Sequence, residues 1–111
     1  LFSQEDRPTA VFFLDDELAA HVLEVFKELG IRVPEDVSII APGDVLDYNM
    51  RHTPQISTLK INTSLMGRIT GELLMNRLKQ QSEDIHVLKV KQQLVDRGSC
   101  RQLNNEEKRT G

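Results

Sequence analysis

The chain has 111 residues, 39% of them apolar and 28% charged, which fits one globular domain and leaves no room for a second. No apolar run approaches the roughly 20 residues that a membrane span needs, and Gln4, Glu5, Asp6 and Arg7 interrupt the N-terminus too early for a signal peptide. The net charge of −3 is split: residues 1–56 hold 4 basic and 11 acidic side chains (−7), residues 57–111 hold 10 and 6 (+4). The basic residues of the second half are scattered singly among few aromatics, which argues against a nucleic-acid face.

Thr9–Leu14 is a short apolar run with β-branched and aromatic character, and it predicts a buried strand. Asp15, Asp16 and Glu17 then open a helix, since a carboxylate can cap free backbone N–H groups and acidic charge suits the positive helix end. Leu18, Val22, Val25, Phe26 and Leu29 fall at helical spacing and predict the buried stripe, which Gly30 ends. After the tight connection 31–36, Val37–Ala41 is a second buried strand. Strand, helix and strand in this order make a βαβ unit, and so a parallel sheet with a right-handed crossover.

Pro42-Gly43-Asp44 is a turn, and residues 45–55 are expected as a loop or short helix. Ile56–Ile61 alternates as a third strand. Asn62 or Thr63 can cap a second helix whose buried face would be Met66, Ile69, Leu73, Leu74 and Leu78, fraying around Gln80–Glu83. Residues 85–95 are strand-like, with Leu88, Val90 and Leu94 at one parity. Arg97-Gly98-Ser99 turns the chain. The expected organisation is one domain over 1–103 and a polar, disordered tail over 104–111. The chain opens without Met and close to a strand, and so reads as a piece of something longer.

In open α/β sheets ligands bind beyond the carboxyl ends of the strands. Asp15 and Asp16 lie there after the first strand and Asp44 after the second. Such carboxylates can accept hydrogen bonds from sugar hydroxyls. Helix capping is the alternative for Asp15 and Asp16, and a plain turn role for Asp44. The stretch Val11–Glu17 is also similar to the opening of phosphoacceptor receiver domains, but the strand that should end in the acceptor aspartate ends in Ala41. His21, His52 and His86 lack metal-ligand spacing, and Gly43, Gly67 and Gly71 form no phosphate-cradling loop. Cys100, beside Arg97 and Arg101, has no internal disulfide partner, which fits a reducing cytoplasm, and no nucleophile constellation around it. Neither catalysis, metal nor cofactor is expected.

From Arg7 to Cys100 the sequence resembles the last third of the LacI/GalR sensor domain. The resemblance is carried by RPTAVFFLDDELAA (7–20), ELGIRVPEDVSII (28–40), TPQISTL (53–59), MGRITGELL (66–74) and QLVDRGSC (93–100), in matching order and spacing. It implies part of a periplasmic-binding-protein-like (type I) α/β fold: a C-terminal lobe over 7–52, with the segments after Ser57 crossing to the other lobe and back. It implies a small-molecule effector, often a sugar, in the interlobe cleft, a homodimer, and DNA contact only through a helix-turn-helix that lies outside this chain.

By the same resemblance Asp15 takes the effector-facing place of the family's Asn-Asp pair. Counting forward from Ser38 puts Gly43 at the effector aspartate; counting back from Thr53-Pro54 puts Asp44 there, and a one-residue insertion reconciles the two in favour of Asp44. The family's Gln-Pro after the third strand is Ile61-Asn62 here. The expected ligand residues are Asp15, Asp44, Asp16 and Tyr48. The expected dimer surface involves Ala20 and Glu24 on the first helix and Tyr48 to His52, with Tyr48 able instead to close the cleft. The competing reading is a periplasmic sugar-binding protein of a transporter, which shares the fold. Unpaired apolar faces around Met66, Ile69 and Leu73 lead to the further expectation that the chain dimerises, by exchange of the segment after Ser57.

Overall fold

The computed structural model describes residues 6–80 and 84–109. Its strands are β1 (Ala10–Phe12), β2 (Ser38–Gly43), β3 (Ser57–Lys60) and β4 (Gln93–Val95), and its helices are α1 (Asp16–Glu28) and α2 (Thr63–Lys79). They form one sheet in the order β1-β2-β3-β4. β1 and β2 pair in parallel with Ala10 opposite Ser38, and β2 and β3 in parallel with Ile40 opposite Ser57. β4 is a correction to the parallel sheet: it runs antiparallel to β3, with Leu59 opposite Leu94. β4 begins beside Lys60, the last residue of β3, so it enters the sheet from the end at which β3 finishes and can only run antiparallel.

The αβ half is built as its sequence predicts. Bonds from Ser38 N–H to the Thr9 carbonyl (2.9 Å) and from Phe13 N–H to the Ile40 carbonyl (3.0 Å) extend the β1–β2 pairing to both sides of the short strand. Helix α1 covers β2 over a core of Phe13, Ala19, Phe26, Val37, Ile39, Ala41 and Ile56. Burying one such aliphatic side chain stabilises the fold by about 1.5–3 kcal/mol. Gly30, at φ +73°, ends the helix in the left-handed region that glycine adopts without penalty.

The inward stripe of α1 differs from the expected one. Leu18, Val25 and Leu29 face outward, while Asp16, Ala19 and Phe26 are buried and Leu23 packs against the core. The cause is Asp16, whose carboxylate is bonded into the β2–β3 loop and fixes the helix rotation so that the line 16–19–23–26 points inward.

The second half departs further from expectation. Asn62 caps α2 as predicted, accepting from Leu65 N–H at 3.0 Å. Yet no described residue of α2 is buried, so the face of Met66, Ile69, Leu73, Leu74 and Leu78 is not a core. The strand expected over 85–95 pairs only at 93–95, and Ile85, Val87 and Leu88 are exposed. The Cα radius of gyration is 19.0 Å, against about 13 Å for a compact chain of this length, because this half extends away from the sheet.

Beyond β4 the chain returns to the edge of β2. Ile39 N–H donates to the Ser99 carbonyl at 2.9 Å, Ser57 N–H to the Ser99 hydroxyl at 2.8 Å, and that hydroxyl to the Ile39 carbonyl at 2.6 Å. Of the tail expected to be disordered, residues 104–109 carry a turn and one turn of 3-10 helix (Glu107–Arg109), tied down by an Arg101–Glu107 ion pair; 110 and 111 lie outside the described residues, as do 81–83 of the expected fraying region.

Candidate functional site

The carboxyl ends of β1 and β2 carry the predicted acidic residues, and the two on β1's side are held in different ways. Asp15 is the helix N-cap: its side chain accepts from Leu18 N–H at 2.7 Å. Asp16 is fully buried, with 0% exposure, and its Oδ2 accepts from Val45 N–H (3.0 Å), Leu46 N–H (3.1 Å) and the Tyr48 hydroxyl (2.8 Å). Its Oδ1 is the one buried side-chain polar atom among the described residues without a hydrogen-bond partner.

That orphan oxygen sits against the backbone of Gly43. A Cβ placed on Gly43 would lie 3.0 Å from Asp16 Oδ1, and Gly43 also has φ +121°, so glycine is required on two grounds. The next residue, Asp44, holds φ +67°, a left-handed conformation uncommon outside glycine. This local path folds the Asp44 side chain back over the sheet.

Asp44 meets two residues for which the sequence offered no site role. Thr58, buried on β3, donates its hydroxyl to Asp44 Oδ1 at 2.7 Å. Arg97, from the segment after β4, places Nη2 2.6 Å from the same oxygen, with both side chains largely buried. Arg97 Nη1 also donates to the Ile56 carbonyl at 2.9 Å and to Thr58 Oγ1 at 3.0 Å. Its guanidinium lies over the Tyr48 ring, 3.5 Å from the centroid, a cation–π contact.

The arrangement shifts two ionisations. Burial pushes the Asp44 carboxyl up, but the hydrogen bonds from Thr58 and Arg97, with the charges of Arg97 and Lys60, outweigh it and hold Asp44 below the usual carboxylate range. Burial, and then the hydrogen bond to Asp16, push the Tyr48 phenol up. Four elements are tied together here: α1 through Asp16, the β2–β3 loop through Asp44 and Tyr48, β3 through Thr58, and the last segment through Arg97. What remains for a visitor is acceptor chemistry at the Asp44 carboxylate, whose contacts from Thr58 and Arg97 fall on Oδ1; the orphan Asp16 oxygen is sealed beneath Gly43.

The expected dimer residues divide. Glu24 and His52 line one groove of about 670 Å³ between the C-terminal half of α1 and residues 51–54, with Lys27 and Arg51. Ala20 is half-buried against the core, and Tyr48 is turned inward to Asp16 and Arg97. Neither is part of that groove. Among the described residues no group of three or more His, Cys, Asp or Glu is placed to hold a metal ion, and no helix is long and apolar enough to cross a membrane. The one sequence signal for Arg97 is its place in the QLVDRGSC segment; nothing local couples it to a loop some fifty residues earlier.

A family model described as a periplasmic binding protein-like domain matches residues 1–100. The chain is 32% identical over 102 residues to the HTH-type transcriptional repressor PurR of Photobacterium profundum, covering 92% of this chain and 30% of that protein. A solved LacI family transcriptional regulator from Bifidobacterium animalis subsp. lactis DSM 10140 superposes with a TM-score of 0.72 at 34% identity, over 90% of this chain and 36% of that one. The complex of the transcriptional regulator CelR with cellobiose superposes with a TM-score of 0.69 at 30% identity, over 82% of this chain and 28% of that one. The chain therefore spans about a third of the length of the proteins it matches. Sequence and fold agree that it belongs to the periplasmic-binding-protein-like domain family, in the LacI-type branch of regulator effector domains.

Proposed function

We propose that this chain is the C-terminal part of the effector-sensing and dimerising domain of a cytoplasmic DNA-binding transcription regulator, with no catalytic step. The observation that carries the reading is the polar rim at the carboxyl ends of β1 and β2, where Asp16, Tyr48, Arg97 and Asp44 form one connected network. Such a rim is where open α/β sheets take ligands. The effector is a small hydroxyl-rich molecule, most simply a sugar. The cellobiose bound by a similar regulator supports that class.

Signalling follows from population shift: the ligand moves the arrangement of lobes only by as much as it binds one arrangement better than the other. The groove containing Glu24 and His52 is the surface through which two copies associate. DNA is reached through a helix-turn-helix elsewhere in the whole regulator.

Binding is tested by titrating isotopically labelled protein with cellobiose, ribose and adenine and following backbone amide shifts. The expected result is saturable shifts concentrated at residues 15–18, 43–48 and 97 for a sugar. Saturable shifts confined to the α1 groove or to α2 would overturn the assignment of the rim. The transporter reading is separated by the complete gene, where an upstream helix-turn-helix is expected and a secretion signal would reverse the choice.

A further inference from the structure

Every carboxylate at the rim already has a donor. Asp15 holds the Leu18 amide, Asp16 two amides and a phenol, and Asp44 a hydroxyl and a guanidinium. Three aspartates without such partners would favour a cationic guest, an amine or a metal ion. Here Arg97 offsets the charge of one of them, Asp44, and its position is strongly constrained. One guanidinium nitrogen bonds the Ile56 carbonyl and Thr58 Oγ1, another bonds Asp44, and the Tyr48 ring covers one face of the group. Because Thr58 and Arg97 both use Oδ1, the carboxylate is oriented with Oδ2 as the oxygen that these two contacts leave free.

We propose that Arg97 is the positioning residue of this rim: it aims Asp44 so that Oδ2 meets a ligand hydroxyl, and its charge makes the site discriminate against cationic ligands in favour of neutral polyols. The inference rests on the proposed ligand site and adds to it the chemical class that is refused. Arg97 acts through Asp44 and Tyr48, not by contact with the ligand. Lysine in its place keeps the charge but cannot bridge Thr58 and Asp44 as a planar fork or cover the ring in the same way. Glutamine keeps polarity and loses the charge.

The test uses the full chain and a matched pair of probes, glucose and glucosamine, at about pH 6, where the amine is protonated. Amide shifts give the affinities, and the carbon shift of the Asp44 carboxyl gives its titration. The wild type is expected to prefer glucose and to titrate Asp44 below the ordinary carboxylate range. Arg97→Gln is expected to raise the Asp44 titration and to reduce the glucose preference about tenfold, since a unit charge within a few ångströms of the site is removed. Arg97→Lys is expected to keep most of the preference while loosening the Tyr48 contact.

A wild-type protein that prefers glucosamine, or whose Asp44 titrates at an ordinary value, overturns the proposal without recourse to any variant. An unchanged preference in folded Arg97→Gln does so as well. A wild type that binds neither sugar but titrates Asp44 as expected fails the ligand site itself, and the discrimination with it, while the electrostatic part of the Arg97 contact stands.

Discussion

The two helices teach opposite lessons about what apolar spacing means. Helix α1 and helix α2 both have capped N-termini and both carry leucines at helical intervals, yet α1 buries Ala19 and Phe26 on β2 while α2 buries nothing. The difference lies in anchoring. α1 begins at a buried aspartate tied by three hydrogen bonds to a loop from the neighbouring strand, so its rotation and position are fixed from outside the helix. The start of α2 is held by its own Asn62 cap, which fixes where the helix begins and nothing about what it faces. An apolar stripe records that a partner is needed; it does not say that the partner is in the same stretch of chain.

Removing the anchor of α1 should have the largest effect. Asp16→Ala leaves two inward amides and the Tyr48 hydroxyl without an acceptor, and we expect a loss of about 3–5 kcal/mol in urea unfolding, since each stranded buried donor costs about 1–3 kcal/mol. Next, Gly43→Ala places a methyl group 3.0 Å from Asp16 Oδ1 at a backbone angle of +121°. A loss of about 2 kcal/mol is expected in the same measurement, and the same substitution at Gly67 or Gly71 in α2, where nothing lies within 4 Å of the added atom, should stabilise slightly. Asp15→Ala removes the α1 cap and should cost about 1 kcal/mol.

Acid gives a smaller, local contrast. Arg32, by its hydrogen bond and its charge, holds Asp36 at about 2, and Arg101 does the same for Glu107, also at about 2. Both carboxyls are depressed in the folded state. Their support is therefore complete above the ordinary carboxylate range, and it is lost as pH falls from about 4 toward 2. Amide exchange measured across that window should rise first around residues 32–36 and 101–107, ahead of the β2–β3 pairing. The smallest effect is expected on the other helix. In the monomer, Leu74→Ser and Leu78→Ser should change unfolding free energy by no more than about 0.5 kcal/mol, as exposed substitutions do. A loss several times larger, accompanied by a fall in molecular weight by sedimentation, would mean that a second copy covers α2.

Much of the αβ half was legible because its signals are local. The strand 9–14, the acidic opening of α1, the Gly30 stop and the strand 37–41 each follow from neighbours within a few residues. The stripe of α1 differs at its outer members, Leu18, Val25 and Leu29, because hydrophobicity alone gives no weight to a buried carboxylate as an inward-facing group. The site was legible as a set of aspartates and a tyrosine, but not as a network. Whether Asp15 or Asp16 turns inward depends on the path of residues 43–48, and Arg97 and Thr58 are joined to Asp44 only by tertiary contact. The strand expected over 85–95 shrank to three residues because alternating apolar residues pair only where an edge is available, and β3 offers four residues of edge.

Tyr48 gives the rim one more property. The chain has a single tyrosine and no tryptophan, so absorption and emission near 280–300 nm are dominated by one phenol, and that phenol lies between Asp16 and Arg97. The protein therefore carries its own optical probe at the proposed ligand rim. Any event that shifts the network, whether a bound guest, a substitution or a proton, can be read from the unlabelled chain without introducing a dye.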